Sequence, residues 1–431
     1  MSDAIRMKPV DRPINAVVRI PGSKSITNRA LLIAGLAHGE STLTGMLFSD
    51  DTRYMVESLS TLGLTVVTDI AAETARVAGG GGSFPRAQAD LFAGNSGTTM
   101  RFLSAALAVG RGTYRIDGVP RMRSRPIGPL LSALNQLGSD ARSESGNDCP
   151  PVVVKANGLR GGHCAMDGIE SSQYFSGLLM ASPYAESDVE IEVEGELVSK
   201  PYMEITAAVM AAFGVHAELD RVAWRRFRVA AGQRYTARTY QIEPDASNAS
   251  YFFAAAAVTG GRVRVEGLGS DSTQGDLQFV RALERMGATV TITGSTTEVV
   301  GPPVGSLRGI DIDMNAISDT AQTLAAIAPF ADRPTTIRGI AHNRRKETDR
   351  IADLATELRR IGQQVDEFAD GLTIKPRPVR PAQILTYDDH RMAMSFAITG
   401  LRAEGIEILD PACTAKTFPD FFARLQRASP A

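Results

Sequence analysis

Three groups of charged residues in this sequence have the types needed for acid–base chemistry on an anionic substrate. Asp319 precedes a run of small apolar residues, Glu347 lies in the segment Lys-Glu-Thr-Asp-Arg at 346–350, and 388–391 reads Asp-Asp-His-Arg. A carboxylate can transfer a proton, and a neighbouring lysine or arginine can hold a phosphate or carboxylate group. The pattern therefore indicates proton transfer beside bound anions. The alternative is that each acid caps a helix or lies on a solvated surface.

Lysine and arginine recur beside the predicted helix starts. A helix N-terminus has free N–H groups and a partial positive charge, which add to the attraction of these cations for anions. If they converge, they would hold a substrate with several negative charges. The cations concerned are Lys24, Arg29, Arg101, Arg125, Lys346, Arg350, Arg391 and Lys416.

Two glycine-containing segments also suit close approach of the backbone to a ligand. The segment 94–101 (GNSGTTMR) places two glycines directly before a predicted helix. The segment 21–25 (PGSKS) resembles a phosphate loop but lacks its first glycine, so an ATP site is not supported. The alternative for 21–25 is a turn that leads into a capped helix.

These segments belong to a unit of about 70 residues that recurs six times along the chain. The unit predicts an Ala/Leu-rich helix, a short alternating strand, a second helix that ends at a glycine, and a second strand. The sixth copy is truncated after its second helix, Phe418 to Arg427. A repeat of this length favours closed domains over an open solenoid. The copies are marked by Asn28, Thr98, Ser171, Asn248, Asp319 and His390.

The simplest division of the chain lies between the third and fourth repeats. It predicts one domain at 22–243 and a second formed by 1–21 and 244–431, with a hinge at about 20–22 and 241–245. Two similar domains of three repeats each result.

Composition excludes several classes of protein. The 431 residues have a formal net charge of −2, which argues against nucleic acid or a membrane surface as a partner. No signal peptide or membrane-length apolar run is evident. The three cysteines and five histidines are scattered, which predicts reduced thiols and no metal site. We therefore expect a cytoplasmic protein.

The motifs together resemble those of the 5-enolpyruvylshikimate-3-phosphate (EPSP) synthases, and the resemblance covers essentially the whole chain. It rests on PGSKSITNR at 21–29, GNSGTTMR at 94–101, the segment 117–127, SSQ at 171–173, SKPY at 199–202, KETDR at 346–350, DDHRMAM at 388–394 and KTFPD at 416–420.

The resemblance implies an α/β fold of two similar domains, each with three βαβαββ units around parallel helices, an inside-out α/β barrel. It also implies transfer of the enolpyruvyl group of phosphoenolpyruvate to the 5-hydroxyl of shikimate 3-phosphate, with release of phosphate and no cofactor. A monomer that is inhibited by glyphosate is expected, and this reaction belongs to the shikimate pathway to chorismate and aromatic amino acids.

The resemblance also implies roles for individual residues. Asp319 would take the proton of the attacking hydroxyl, Glu347 would protonate the methylene carbon, and Lys24 would assist phosphate departure. The residues implied for shikimate 3-phosphate are Lys24, Ser25, Arg29, Ser171, Ser172, Gln173, Ser199, Tyr202, Asp319, His342 and Lys346. Those implied for phosphoenolpyruvate are Lys24, Asn95, Gly97, Arg125, Gln173, Arg350, Arg391 and Lys416.

Three positions depart from the family pattern. His342 stands where asparagine is common, Phe102 where proline is common, and Ser96 where alanine is common.

Two other functions remain alternatives. A UDP-N-acetylglucosamine enolpyruvyl transferase shares the fold and the donor, but typically has a reactive cysteine in the loop equivalent to 120–126, which has none here. A non-catalytic anion-binding protein would account for the cations but not for the acids beside them.

Overall fold

The computed structural model describes residues 4–429. Their contacts divide the chain into two compact units. The continuous unit is Gly22–Ile242, and the discontinuous unit joins the segment that ends at Pro21 to the segment that begins at Glu243. That the connecting segments act as a hinge stays a prediction.

The strands, in chain order, are β1 (Ala4–Arg6), β2 (Asn15–Val18), β3 (His38–Thr44), β4 (Thr65–Asp69), β5 (Thr74–Gly80), β6 (Gln88–Phe92), β7 (Arg111–Asp117), β8 (Asp140–Ser143), β9 (Val152–Asn157), β10 (Gly162–Asp167), β11 (Val189–Glu194), β12 (Ala217–Leu219), β13 (Arg226–Val229), β14 (Thr239–Gln241), β15 (Arg262–Glu266), β16 (Thr289–Ile292), β17 (Thr296–Val300), β18 (Asp311–Asp313), β19 (Thr335–Arg338), β20 (Gln364–Phe368), β21 (Gly371–Lys375), β22 (Ala382–Ile384) and β23 (Ile406–Leu409).

The α-helices are α1 (Lys24–Leu36), α2 (Asp50–Thr61), α3 (Gly97–Leu107), α4 (Gly128–Gln136), α5 (Ser172–Ala181), α6 (Pro201–Ala212), α7 (Ala246–Thr259), α8 (Phe279–Arg285), α9 (Ala321–Ile327), α10 (Arg350–Arg360), α11 (His390–Gly400) and α12 (Phe421–Ala428).

Each complete repeat folds as βαβαββ around one four-stranded sheet. In the second repeat β6 pairs parallel with β7, β7 antiparallel with β9, and β9 antiparallel with β8. This confirms the arrangement that the resemblance implied. The periodicity alone was wrong in predicting two strands per repeat, because strands such as β8 are short, half of their residues are exposed, and they have little apolar alternation.

Two repeats take their leading strand from a distant part of the chain. β2 precedes α1 in sequence but pairs parallel with β15, whereas β14 precedes α7 but pairs parallel with β3. The backbone N–H of Asp245 donates to the carbonyl of Pro21 at 2.9 Å. The chain therefore passes twice between the units. The sixth sheet is also completed from a distance, because β1 adds antiparallel to β23.

The first helix of each repeat is buried on all sides. Every residue of α3 and of α7 is buried, and α7 contacts α9 and α11. Alanine and glycine permit this close packing because they add little bulk between helix axes. Polar side chains inside the core bond across the helices, as Thr399 Oγ1 does to the carbonyl of Ala326 at 2.8 Å. The second helix of each repeat covers the sheet and leaves one face in solvent.

The glycines that end the second helices are equivalent. Gly63, Gly138, Gly214, Gly287 and Gly362 have φ between 87° and 108°. A residue with a Cβ rarely adopts that conformation, so glycine is favoured at this one position of the first five repeats. The predicted helix stops are confirmed here. Among the described residues, no helix is both long and apolar enough to span a membrane.

Candidate active site

Asp319 lies at the centre of a cation cluster in the discontinuous unit. Its Oδ1 is 2.6 Å from Lys346 Nζ and 3.5 Å from Arg350 Nη1, and its Oδ2 is 2.7 Å from Arg391 Nη2. Asp319 belongs to a 3₁₀ turn, Asn315–Thr320, and no side chain caps α9. The alternative that Asp319 serves as a helix cap is therefore wrong. Its carboxylate faces three cations, two from the segment 346–350 and one from the start of α11.

Glu347 is a second acidic residue of this cluster, and it shares Arg350 with Asp319. Its Oε2 is 2.9 Å from Arg350 Nη2, and its Oε1 is 3.3 Å from Lys416 Nζ. The side chains of Glu347 and Arg350 are only 8% and 2% exposed. The structure thus brings together the two predicted catalytic acids and four of the predicted cations: Asp319, Glu347, Lys346, Arg350, Arg391 and Lys416.

Asp389 orients Arg350 from the other side. Arg350 Nε donates to Asp389 Oδ2 at 2.6 Å and Nη2 donates to Oδ1 at 3.1 Å. Asp389 also caps α11, where its carboxylate accepts from the backbone N–H of Arg391. Burial lowers the pKa of Arg350, but the carboxylates of Asp389, Glu347 and Asp319 outweigh it and raise that pKa above its ordinary value. The guanidinium is therefore permanently charged.

His342 lies next to the cluster as a neutral group. Its Nε2 is 2.9 Å from the hydroxyl of Ser318, which is also 3.4 Å from Lys346 Nζ. Burial and the charge of Lys346 lower the pKa of His342 to about 3. Burial also lowers the pKa of Lys346, although the Asp319 carboxylate opposes this. Both shifts reflect the cost of adding positive charge to a buried, cation-rich region.

A further buried acid, Asp276, was missed by the sequence analysis. It accepts a hydrogen bond from the hydroxyl of Ser247 near the start of α7. Burial, together with the charge of Asp319, raises the pKa of Asp276 to about 6. Its segment, Gly-Asp-Leu at 275–277, contains no repeated motif, so no sequence signal distinguished it from an ordinary loop acid.

The glycine loop at 94–101 places a second group of charged and polar residues in the continuous unit. Arg101 Nη1 donates to Gln173 Oε1 at 2.7 Å, and Arg125 Nη1 donates to the backbone carbonyl of Asn95 at 3.1 Å. A Cβ on Gly97 would lie 2.7 Å from Arg125 Nη2 and 3.1 Å from Arg101 Nη1. The glycine therefore leaves space that two guanidinium groups border. Arg101 is one of the cations beside the predicted helix starts, and the sequence predicts no specific role for it.

Lys24 forms an ion pair that the sequence analysis did not anticipate. It is the first residue of α1, and its Nζ is 3.4 Å from Asp51 Oδ2 at the start of α2. Both side chains are largely buried. Asp51 lies in an Asp-Asp-Thr segment at 50–52 that reads as an ordinary helix start, so only the packing of α1 against α2 reveals the pair.

Arg29 is fully buried between aromatic rings and hydroxyl groups. Its Nε donates to Thr206 Oγ1 at 2.8 Å and its Nη2 to Ser176 Oγ at 3.0 Å. Its guanidinium carbon is 5.0 Å from the centroid of the Phe102 ring. Burial lowers the pKa of Arg29 to about 10, so the group stays charged at neutral pH. Its Nη1 donates to the carbonyl of Ser25, which fixes the first turn of α1.

The other residues of this unit that are predicted to bind substrate lie at or near helix starts. Ser171 caps α5 by accepting from the N–H of Gln173, and Ser172 is the buried first residue of that helix. Ser199 precedes α6 with a φ of 54°, a conformation that non-glycine residues rarely adopt. Tyr202 follows in α6, and its ring is 5.9 Å from the Arg29 guanidinium carbon. Ser171 is thus both a helix cap and a predicted ligand residue.

Metal ligation has no candidate in the described part of the chain. Within residues 4–429, no group of three or more His, Cys, Asp or Glu side chains is placed to hold a metal ion. The three cysteines are unpaired as thiols, and burial raises the pKa of Cys164 and of Cys413 to about 12.

The comparisons with known proteins identify the family of this chain. The family model described as EPSP synthase (3-phosphoshikimate 1-carboxyvinyltransferase) matches residues 10–425. The chain belongs to the EPSP synthase family. It is therefore an enzyme, a transferase of the shikimate pathway that leads to aromatic amino acids. The alternative of a UDP-N-acetylglucosamine enolpyruvyl transferase is not favoured.

Individual relatives extend this result. A 3-phosphoshikimate 1-carboxyvinyltransferase of Nostoc punctiforme is 53% identical over 422 residues, which cover 98% of each chain. The chloroplastic one of Arabidopsis thaliana is 47% identical and aligns with 98% of this chain and 84% of its own. The solved EPSP synthase of Acinetobacter baumannii superposes with a TM-score of 0.81 at 25% identity and covers 99% of this chain and 98% of its own.

A more distant neighbour shares the fold alone. The enolpyruvyl transferase NikO of Streptomyces tendae superposes with a TM-score of 0.78 at 18% identity. The fold is thus common to transferases that differ widely in sequence, and the site residues must account for the particular reaction.

Proposed function

We propose that this enzyme joins the 5-hydroxyl of shikimate 3-phosphate to the central carbon of phosphoenolpyruvate and releases phosphate. The observation that carries the proposal is the position of Asp319, an acid in contact with Lys346, Arg350 and Arg391. These cations stabilise the ionised carboxylate, which suits a proton acceptor. They also offer donors to the anionic groups of a substrate.

Asp319 is the proposed base. A hydroxyl group is a weak nucleophile, and removal of its proton by a positioned carboxylate makes attack on carbon feasible. The same carboxylate also fixes Lys346 and Arg391 by direct contact. Substrate hydroxyl groups would replace part of these contacts when the acceptor binds. Asp319 would thus act as the base and also hold in place the cations that bind the substrate.

Glu347 is the proposed acid. As the acceptor oxygen bonds to the central carbon of phosphoenolpyruvate, the methylene carbon gains a proton and becomes a methyl group. The resulting tetrahedral intermediate then loses phosphate through cleavage of the carbon–oxygen bond, and the methyl group returns one proton to restore the methylene. Glu347 is nearly buried between Arg350 and Lys416, which would hold the donor's anionic groups beside it.

The continuous unit supplies further proposed contacts. Asn95, Gly97, Arg125 and Gln173 are assigned to phosphoenolpyruvate, and Lys24 to its departing phosphate. The hydroxyls of Ser25, Ser171, Ser172 and Ser199, with Arg29 and Tyr202, are assigned to shikimate 3-phosphate. Lys24 and Gln173 are assigned to it as well, as are His342 and Lys346 of the discontinuous unit. The support for Ser25, Gly97, Ser171, Ser172 and Gln173 is their placement at helix N-termini, which favour anions, and the support for Arg29, Arg125 and Lys346 is their positive charge. We also propose that glyphosate competes with phosphoenolpyruvate and that the enzyme acts as a monomer in the cytoplasm.

A phosphate-release assay tests the proposal. Purified enzyme is supplied with both substrates, with either one alone, and with UDP-N-acetylglucosamine in place of shikimate 3-phosphate. We expect phosphate only when shikimate 3-phosphate and phosphoenolpyruvate are both present. Release with the UDP-sugar, or no release from either pair by folded enzyme, would refute the assignment.

A further inference from the structure

Glu357 is a buried carboxylate to which the proposed reaction gives no role. Its side chain is 0% exposed, and it lies on α10 two turns after Arg350. It accepts hydrogen bonds from the hydroxyl of Tyr387 at 2.7 Å and from the backbone N–H of Leu385 at 3.2 Å. Arg360 Nε donates to it at 2.9 Å. Two of these donors belong to one loop, which we call the 385–389 loop.

The 385–389 loop has an unfavourable backbone conformation that its surroundings must maintain. Tyr387 and Asp388 are consecutive non-glycine residues with φ of 55° and 54°. Such left-handed conformations cost free energy and persist only where other contacts hold them. The loop leads directly into Asp389, the cap of α11, so its course decides where that carboxylate lies.

The loop and α10 are joined at two points. At the start of α10, Arg350 forms its paired contact with Asp389. Two turns further, Glu357 binds Tyr387 and Leu385. Two attachments about two helical turns apart fix both the position and the direction of a segment, whereas a single one leaves it free to pivot.

We propose that Glu357 is a positioning residue, whose bonds to Tyr387 and Leu385 hold the 385–389 loop so that Asp389 aligns Arg350 and Arg391 for the donor substrate. The inference rests on the proposed function for the role of the two arginines. It concerns residues that need not contact either substrate.

A simple structural ion pair does not account for this arrangement. Arg360 is 41% exposed and can be solvated without a partner, so it does not require a fully buried carboxylate. Burial, reinforced by the Glu357 charge, raises the pKa of Tyr387 above its ordinary value. The phenol therefore stays protonated and donates throughout the physiological pH range.

The test uses Tyr387→Phe, which removes one hydroxyl, and Glu357→Gln, which keeps the shape but removes the charge. Initial rates of phosphate release give separate KM values for the two substrates. We expect KM for phosphoenolpyruvate to rise roughly tenfold in each variant, with KM for shikimate 3-phosphate within about twofold. The effects of the two substitutions should not be additive in the double variant, because both side chains take part in the same hydrogen-bonded contact.

Tyr235→Phe is the matched control. Tyr235 is also buried and donates its hydroxyl to a backbone carbonyl, that of Met180 at 3.0 Å, in the continuous unit. The substitution Tyr235→Phe should leave KM unchanged for both substrates. The proposal would be overturned if Tyr387→Phe leaves KM for phosphoenolpyruvate unchanged, or if it raises KM equally for both substrates. A decrease in kcat with no change in either KM would also overturn it.

Amide hydrogen exchange provides a readout that does not depend on the reaction. We expect the amides of Asp389 and Arg391 to exchange roughly tenfold faster in Tyr387→Phe than in the wild type, while those of α7 stay the same. If the amides of Asp389 and Arg391 exchange at the same rate in Tyr387→Phe and in the wild type, the proposal is also overturned. If the wild type releases no phosphate, the proposed function fails, and the exchange experiment still decides whether Tyr387 holds the loop.

Discussion

Gly97 faces Arg125 so closely that a single methyl group cannot fit without movement. A Cβ built on Gly97 lies 2.7 Å from Nη2 and 3.1 Å from the guanidinium carbon of Arg125. The same guanidinium is tied to the backbone carbonyl of Asn95. The glycine thus determines where a proposed donor-binding cation lies.

Gly97→Ala should therefore change inhibition more than catalysis. The guanidinium end of Arg125 is flexible enough to yield, but the methyl group narrows the space beside it. Glyphosate is longer than phosphoenolpyruvate, so we expect its inhibition constant to rise by at least roughly tenfold more than KM for phosphoenolpyruvate. Steady-state inhibition at fixed shikimate 3-phosphate measures both quantities.

Ser96→Ala is the control for this prediction. Ser96 caps α3 by accepting from the N–H of Thr99, so its loss disturbs the helix start without adding a methyl group at Gly97. It should leave the ratio of the two constants unchanged. If Ser96→Ala shifts the ratio as much as Gly97→Ala, helix displacement rather than methyl bulk decides the selectivity.

Asp319→Asn should lower kcat by roughly 10²–10⁴-fold, the usual scale for a positioned base. The amide keeps the size of the side chain but cannot accept the hydroxyl proton, and shikimate 3-phosphate should still bind. Turnover and calorimetric binding of shikimate 3-phosphate test the two parts. Asp332→Asn, at an exposed aspartate paired with Arg333 in the same unit, should keep near-normal turnover. Near-normal turnover in folded Asp319→Asn would remove its assignment as the base.

Arg350→Met should reduce the free energy of unfolding by about 3–5 kcal/mol. The change leaves the fully buried Asp389 carboxylate and the nearly buried Glu347 without their main cation. Urea denaturation followed by circular dichroism measures the loss. Arg281→Met removes a half-exposed pair with Glu284 and should change stability by less than about 1 kcal/mol. Equal effects of the two substitutions would show that burial of the Asp389 pair contributes little.

The lowered pKa of His342 predicts that the protein loses stability in acid. Its pKa is lowered from 6.5 to about 3, so the unfolded chain binds a proton at a higher pH than the folded protein does. The stabilising contribution is present above pH 6.5 and is lost as pH falls toward 3. Between pH 7.5 and pH 5.0 the wild type should lose about 2 kcal/mol more than His342→Asn, which cannot titrate. Unfolding in urea at both pH values gives the comparison, and parallel losses in the two proteins would contradict the predicted shift.

The helix starts and glycine stops were predictable because they depend on local chemistry. The glycine after each second helix is needed for its own backbone conformation, and the repetition of Gly63, Gly138, Gly214, Gly287 and Gly362 makes the signal stronger than any single copy. The charged motifs were recognisable for a similar reason, since Lys346, Glu347 and Arg350 lie within five residues of one another.

Short, exposed strands were not predictable from periodicity. β12 and β14 have three residues each, too few for an alternation of polar and apolar side chains to stand out. Their existence depends on hydrogen bonds to β13 and β3, which are partners that no local pattern identifies. The pairing of β2 with β15 likewise joins residues about 250 positions apart, a separation over which sequence periodicity carries no information.

The sequence by itself determined the six repeats, the helix ends and the acids and cations that belong to the family's motifs, because these features are set by side-chain type at short spacing. Only the tertiary structure decided which of them meet. Asp319 and Arg391 are 72 positions apart, yet their side chains approach to 2.7 Å, because α9 and α11 pack side by side with their starts at the same end. Asp51, Asp276 and Glu357 gain their significance in the same way, because the burial and partners of a carboxylate depend on segments distant in the chain.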